Sequence, residues 1–346
     1  MLPWSRASLL CVPVALAACG SNEGAEVDTS LGLDERPANS SCIGSGEFPT
    51  KLSNHACFEG DLPRVGAALV PYSVNAPLWS DGADKQRYLA LPDDSALSVA
   101  RSGDFELPPG GVLVKEFSLG DTRLETRLIT RDTDGDWHAA TYVWDTNQRD
   151  ATHTTDGASI ELDDAVWLVP TNDQCFACHT ERAGIALGLE QRQMALEFEY
   201  PATGRTADQI HTLSELGLLE GESDDDPLVP PGDEDADLEA RARAYLHANC
   251  AHCHSPGGEG QGELDLRAST PTRLTKTCNE LPQQGDPVES GGVLLAPGDP
   301  ASSILYVRMT SEEDSWRMPP VGSVVVDDLG SALIADWIES FESCPE

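Results

Sequence analysis

The chain has 346 residues, 40% of them hydrophobic, and carries a formal net charge of −37 from 22 Lys+Arg against 59 Asp+Glu. A surface this acidic repels nucleic acid and anionic lipid headgroups and favours basic partners. It also keeps a protein in solution, so the charge alone names no partner.

Residues 1–18 read as a signal peptide. Arg6 supplies the positive start, and Leu9 to Ala18 form an apolar run too short to span a bilayer as a stable helix. The segment closes with Leu16-Ala17-Ala18-Cys19-Gly20, which resembles a bacterial lipobox and makes Cys19 the lipidated first residue of the mature chain. The competing reading is an ordinary secretory cut near Ala18. Residues 19–40 then form a lipid-anchored, flexible tether. The expected place is the periplasmic side of a bacterial membrane, the outer membrane among the options, with the chain anchored rather than spanning.

Residues 41–170 are expected to be β-rich. Val112 to Leu119 makes one strand, and Thr122 to Arg131 another, with Leu124 and Leu128 on one face and three arginines on the other. Asp132-Thr-Asp-Gly-Asp136 turns the chain into Trp137 to Trp144, completing a hairpin, and Ala165 to Val169 adds a further strand. The Asp132/Asp134/Asp136 cluster departs from EF-hand spacing and reads as a polar turn.

The chemistry begins at Cys175-Phe-Ala-Cys178-His179, which spells C-x-x-C-H, the attachment pattern for c-type haem. The two thiols add to the porphyrin vinyl groups, and the next residue, a histidine, reaches the iron. The first haem-binding segment covers residues 171–220, with helical patterning over Glu181 to Tyr200 and Thr206 to Leu219. The low-ranked choices for its sixth iron ligand are Met194 and His211, with His247, His138 and His153 also available. Residues 221–237, dense in acids and broken by Pro227, Pro230 and Pro231, read as a linker.

Residues 238–346 hold the second motif, Cys250-Ala-His-Cys253-His254, after a helix from Leu238 to Asn249. His254 is its proximal ligand, and Met318, in Arg317-Met318-Pro319-Pro320, is the distal one. Met309 is the lesser choice, and His252 is expected to face solvent. A terminal helix over Asp327 to Phe341 brings Leu333, Ile334, Trp337 and Ile338 to one side. First and last helices placed in this way resemble those of a class I cytochrome c domain. The two C-x-x-C pairs lie too far apart in the chain for a zinc ribbon, whose knuckles are usually about 15–20 residues apart.

Of ten cysteines, Cys11 leaves with the signal, Cys19 takes lipid and four hold haem. Cys42, Cys57, Cys278 and Cys344 remain, an even number in an oxidising compartment, and three pairings are open. Cys42 with Cys57 would close a short N-terminal loop, and Cys278 with Cys344 would tie down the terminal helix. That pairing is favoured.

Several segments together resemble a family of bacterial di-haem c-type cytochrome lipoproteins: Pro71-Tyr-Ser-Val-Asn-Ala-Pro-Leu-Trp-Ser-Asp81, Lys85-Gln-Arg87, Thr141-Tyr-Val-Trp144, Asp173 to His179, Tyr245 to Gly258, Leu264-Asp-Leu-Arg267, Pro297-Gly-Asp-Pro300 and Met318-Pro-Pro320. The likeness runs from about Pro49 to the C-terminus. It implies a β-rich part joined to haem-binding helices and a redox role, and no substrate. Where the family carries Gln-Leu-Asn, this chain reads Gln193-Met194-Ala195, so Met194 stands where a packing leucine would.

The expected fold class is therefore α+β multidomain: a β-rich N-terminal domain, a haem-binding helical region and a C-terminal all-α cytochrome c-like domain. The expected function is single-electron transfer by two covalent c-type haems in the cell envelope, with redox proteins, basic ones included, as partners and nucleic acid excluded. The alternatives are a di-haem peroxidase-like enzyme with an open first haem, and a β-rich docking module for an envelope dehydrogenase.

Overall fold

The computed structural model describes residues 29–162, 166–283, 285, 287–288, 291–313 and 315–345. The signal peptide at 1–18, Cys11, Cys19, the start of the tether and Ala165 lie outside the described residues. The chain enters through a short hairpin, β1 (Phe58–Glu59) and β2 (Arg64–Val65). It continues through β3 (Val70–Tyr72), β4 (Asp84–Ala90), β5 (Leu97–Val99), β6 (Phe105–Glu106), β7 (Val112–Leu119), β8 (Thr122–Arg131), β9 (Trp137–Trp144) and β10 (Ala151–Thr154). Six of these form an antiparallel sheet in the order β10-β9-β8-β7-β4-β3.

Both faces of this sheet are covered, which explains why its strands alternate only in part. On one side Val112, Val114, Leu128, Ala140 and Tyr142 pack with Leu52 and the Cys42–Cys57 disulfide. On the other, Leu89, Leu113 and Ile129 join Ile185, Leu189, Met194, Tyr200, Leu213 and Leu219. Residues on either side of position 170 thus share one core. A second disulfide joins Cys278 and Cys344, so the favoured pairing is the one formed.

The chain goes on through a hairpin of β11 (Ala158–Glu161) and β12 (Val166–Val169), then α1 (Asn172–Cys178), α2 (Gln191–Met194), β13 (Glu197–Tyr200), β14 (Arg205–Asp208), α3 (Gln209–Glu215) and β15 (Leu219–Glu220). It closes with α4 (Leu238–Asn249), α5 (Ile304–Met309) and α6 (Asp328–Glu339). The expected α+β arrangement, with a helical middle and an all-α C-terminal domain, is overturned. The molecule is β-rich, with six short α-helices among the described residues.

The physical reasons are local. Positive φ at Gly184, Ile185 and Gly188 (77°, 52° and 86°) stops a helix from forming after the first motif. The expected helix over 181–200 shrinks to α2, and Phe198 and Tyr200 pair across a turn with Ala207 and Arg205 as a hairpin. Past Cys253, Ser255-Pro-Gly-Gly-Glu-Gly-Gln-Gly262 cannot hold a helix, so turns and bends run from there towards α5. The acidic stretch 221–237 is pinned to the body. Arg192 pairs with Asp225 at 2.5 Å, and Leu228 is buried against Ala76 and Ala244.

Candidate functional site

A capping box starts α1. Thr171 accepts from the Gln174 N–H at 3.3 Å, and the Gln174 side chain accepts from the Thr171 N–H at 2.9 Å. Asn172 Nδ2 donates to Ala139 O at 3.2 Å, which seats the helix on β9. One turn then places Cys175 and Cys178 on the same side, with His179 at the helix end. The left-handed turn at Gly184–Ile185 delivers a carbonyl to the imidazole: His179 Nδ1 lies 2.5 Å from Ile185 O. Since Nδ1 is then the donor, Nε2 keeps its lone pair for a metal. Burial, and then the charge of Lys115, push the His179 pKa down to about 3, so the ring is neutral, as ligation requires.

The second motif follows α4, whose start is capped by Asp237 accepting from the Ala240 N–H at 3.0 Å. Ala242, Tyr245 and Leu246 pack there against Leu333, Ile334, Trp337 and Ile338 of α6. The contact is close at Gly330, where a Cβ would lie 2.3 Å from the Tyr245 ring. His254 is half-buried, and its Nδ1 is buried without a hydrogen-bond partner. Burial lowers its pKa as well.

These two motifs, distant in the chain, meet in space. The sulfur atoms of Cys178 and Cys253 and a ring nitrogen of His252 all lie within 4.8 Å of one another. Cys175, Cys178, His179, Cys250, Cys253 and His254 line one cavity of about 1880 Å³. A single small-molecule site usually measures about 300–1,000 Å³, so this one has room for two bulky groups. His252, expected to face solvent, instead lines the cavity beside Cys178. It does so because the turn after α4 carries the whole Cys250–His254 loop inward.

The far wall of the cavity is the sheet. Arg87, Lys115 and Arg127 stand directly opposite one another on β4, β7 and β8, a row of three like charges, with Lys85 one step along. Like charges at paired positions destabilise a sheet. Arg127 has a carboxylate partner in Glu125 at 2.5 Å, whereas among the described residues the Lys115 ammonium finds only Leu187 O at 3.5 Å. Burial, then Arg87 and Arg127, push the Lys115 pKa down to about 7. In a chain with so few cations, this concentration calls for an anionic ligand in the cavity.

The distal candidates separate cleanly. Met318 and Met309 both line the cavity. Met194 is fully buried in the core shared with the sheet, and His211 is exposed on α3, its N–H bound by Asp208; neither lines the cavity. His247 does line it, but its Nε2 is engaged by Glu190 at 2.8 Å. His138 pairs with Asp132 at 2.8 Å, the same carboxylate that accepts from the Asp134 and Asp136 N–H groups, and His138 and His153 lie outside the cavity wall. The residues missed by sequence reading are Lys85, Arg87, Lys115 and Arg127. Their signal was Lys85 and Arg87 two residues apart on one strand, Lys115 on the next, and the arginine face of the strand at 122–131.

The donor set fits haem. Thiols, neutral imidazoles with one nitrogen free, and cations suited to carboxylates surround a space far larger than an ion needs. Cys178, His252 and Cys253 could together hold a soft metal ion, but that would leave Cys175, Cys250 and most of the cavity without a role.

Residues 250–322 match the family model for Planctomycete cytochrome C. The C-terminal region is therefore cytochrome c-like, which implies covalently bound haem and a haem-based electron-transfer role. No curated protein and no solved structure matches the chain.

Proposed function

We propose that this chain is a di-haem c-type cytochrome that passes single electrons between redox proteins of the bacterial cell envelope. The observation that carries the reading is the shared cavity: both C-x-x-C-H motifs line it, and Cys178 and Cys253 adjoin. Cys175, Cys178 and His179 would hold one haem, and Cys250, Cys253, His254 and Met318 the other. When bound, each haem supplies an iron that exchanges one electron. The chain's own residues do the rest. Ile185 O fixes the His179 ring, Lys115 and its neighbours supply counter-charge, and the sheet and α4 wall the site.

Intact-mass measurement of the mature protein should find two covalent haem equivalents, and a redox titration two one-electron waves. A single equivalent would overturn the two-haem reading. The placement of Met194 and His211 away from the cavity favours a second reading, in which the first haem keeps an open position and acts on peroxide or a small gas. Carbon monoxide binding by the reduced protein separates the two: full binding at one haem supports the enzyme, none supports the carrier. The lipobox-like segment ending at Cys19 supports anchoring to the membrane by lipid. A Cys19→Ser variant is then recovered in the soluble fraction, and retention on the membrane would count against the anchor.

A further inference from the structure

The segment Pro77-Leu-Trp-Ser-Asp81 leaves the sheet region between β3 and β4 and reaches across to the second motif from both sides. On the attachment side, the Trp79 N–H donates to Asn249 Oδ1 at 2.7 Å, one residue before Cys250. On the other side, the Trp79 indole N–H donates to Val325 O at 2.9 Å. Asp81 then closes on the loop that follows Met318. Its carboxylate accepts from Ser323 Oγ at 2.5 Å, from the Val324 N–H at 3.0 Å and from the Val325 N–H at 2.9 Å. Consecutive N–H groups converging on a carboxylate form an anion nest, and hydrogen bonds to a charged acceptor are stronger than neutral ones.

Two further facts argue that this contact is built for a purpose. Asp81 has φ +48°, a left-handed backbone that non-glycine residues adopt at a cost and that aspartate tolerates better than most. The loop it holds is closed on the inside as well: Arg317 donates to Val324 O at 3.0 Å, and the Met318 N–H to Arg308 O at 3.0 Å. The Met318 loop is therefore fixed at one end to its own region and at the other to the sheet region.

We infer that Asp81, with Trp79, is a positioning residue that holds the Met318 loop over the second haem site, so that the β-rich part controls the ligation of that iron. The inference rests on the proposal that Met318 is the distal ligand. It makes the sheet region part of the second site, although every ligand of that site comes from the C-terminal region. Without the clamp the loop swings away more often, the thioether leaves the iron, and the ferric state gains relative to the ferrous.

The test uses the full-length holoprotein, with Met318→Ala as reference. Met318→Ala should abolish the thioether–ferric charge-transfer absorption, open the reduced second haem to carbon monoxide and lower its reduction potential. Asp81→Ala should move all three readouts in the same direction, raising the open-to-closed ratio of the loop by at least about tenfold, since it removes all three hydrogen bonds to the carboxylate and one charge-assisted bond alone is about that large an effect. Asp81→Asn, which keeps one acceptor oxygen, should lie between Asp81→Ala and the parent. Covalent haem content should stay constant throughout.

An Asp81→Ala protein with parental absorption, carbon monoxide inertness and potential overturns the inference while leaving Met318 ligation standing. A Met318→Ala protein with unchanged spectra instead removes the ligation proposal, and the inference with it. Should Asp81→Ala fail to fold, Ser323→Ala and Trp79→Phe each delete one hydrogen bond of the clamp. A smaller shift in the same three readouts then supports the inference, and no shift in either variant overturns it.

Discussion

The two motifs share a sequence pattern, yet opposite halves of each site are secured by the fold. At the first, the imidazole is held by Ile185 O and the wall is a sheet lined with cations, while neither Met194 nor His211 lines the cavity. At the second, His254 Nδ1 has no hydrogen-bond partner among the described residues, while Met318 lies on a loop clamped from two directions. The difference teaches that identical attachment chemistry leaves the rest of a site to its surroundings. A sheet supplies charge and enclosure, and helices with a loop supply a second ligand.

The largest test of this contrast removes each thiol pair in turn. Cys175→Ser/Cys178→Ser and Cys250→Ser/Cys253→Ser should each lose one haem equivalent by mass. The first should also lose more stability in thermal melts, since buried charges left without a counter-ion cost about 3–5 kcal/mol. Equal losses would erase the distinction drawn here. Next, Trp337→Ala should cost about 3–5 kcal/mol by emptying the α4–α6 contact. Denaturant titration followed at each haem should show the second site failing first.

Gly330→Ala should cost about 1–3 kcal/mol, because overpacking against Tyr245 outweighs the gain in helix propensity. Its effect should again be confined to the second haem. The smallest change is at Lys115. Lys115→Met should lower the potential of the first haem on the order of 60 mV, a tenfold shift in a one-electron equilibrium, because a nearby cation favours the reduced state. The apoprotein adds a sign check. With the Lys115 pKa near 7 when folded and 10.5 when unfolded, the unfolded chain binds more protons between those values. Stability of the apoprotein should therefore rise with pH from about 7 to 10.5, and Lys115→Met should flatten that slope.

Much of this was legible locally. The strands at 112–119, 122–131 and 137–144 and the helix at 238–249 have the bounds their patterns gave, because alternation and helical spacing act over a few residues. Both C-x-x-C-H motifs were legible for the same reason. What escaped depends on contacts between distant segments. The arginine face of Thr122 to Arg131 became a cavity wall only through the register that sets Arg127 against Lys115 and Arg87. The helix expected over 181–200 shrank because left-handed turns at Gly184 and Gly188 interrupt it, although polar and apolar residues still recur there at helical intervals, whereas the one expected over 206–219 formed in part as α3. Nothing in either motif announces that Cys178 adjoins Cys253.

That adjacency bears on how the protein is assembled. In the folded chain the two inner thiols face each other within 4.8 Å across a common space. A machinery that loads one haem at a time needs each pair exposed on an unfolded segment. On the two-haem proposal, loading would then come before the two segments close on each other. Maturation becomes a race between cofactor delivery and collapse of the cavity. A chain that folds too quickly would trap its own attachment sites.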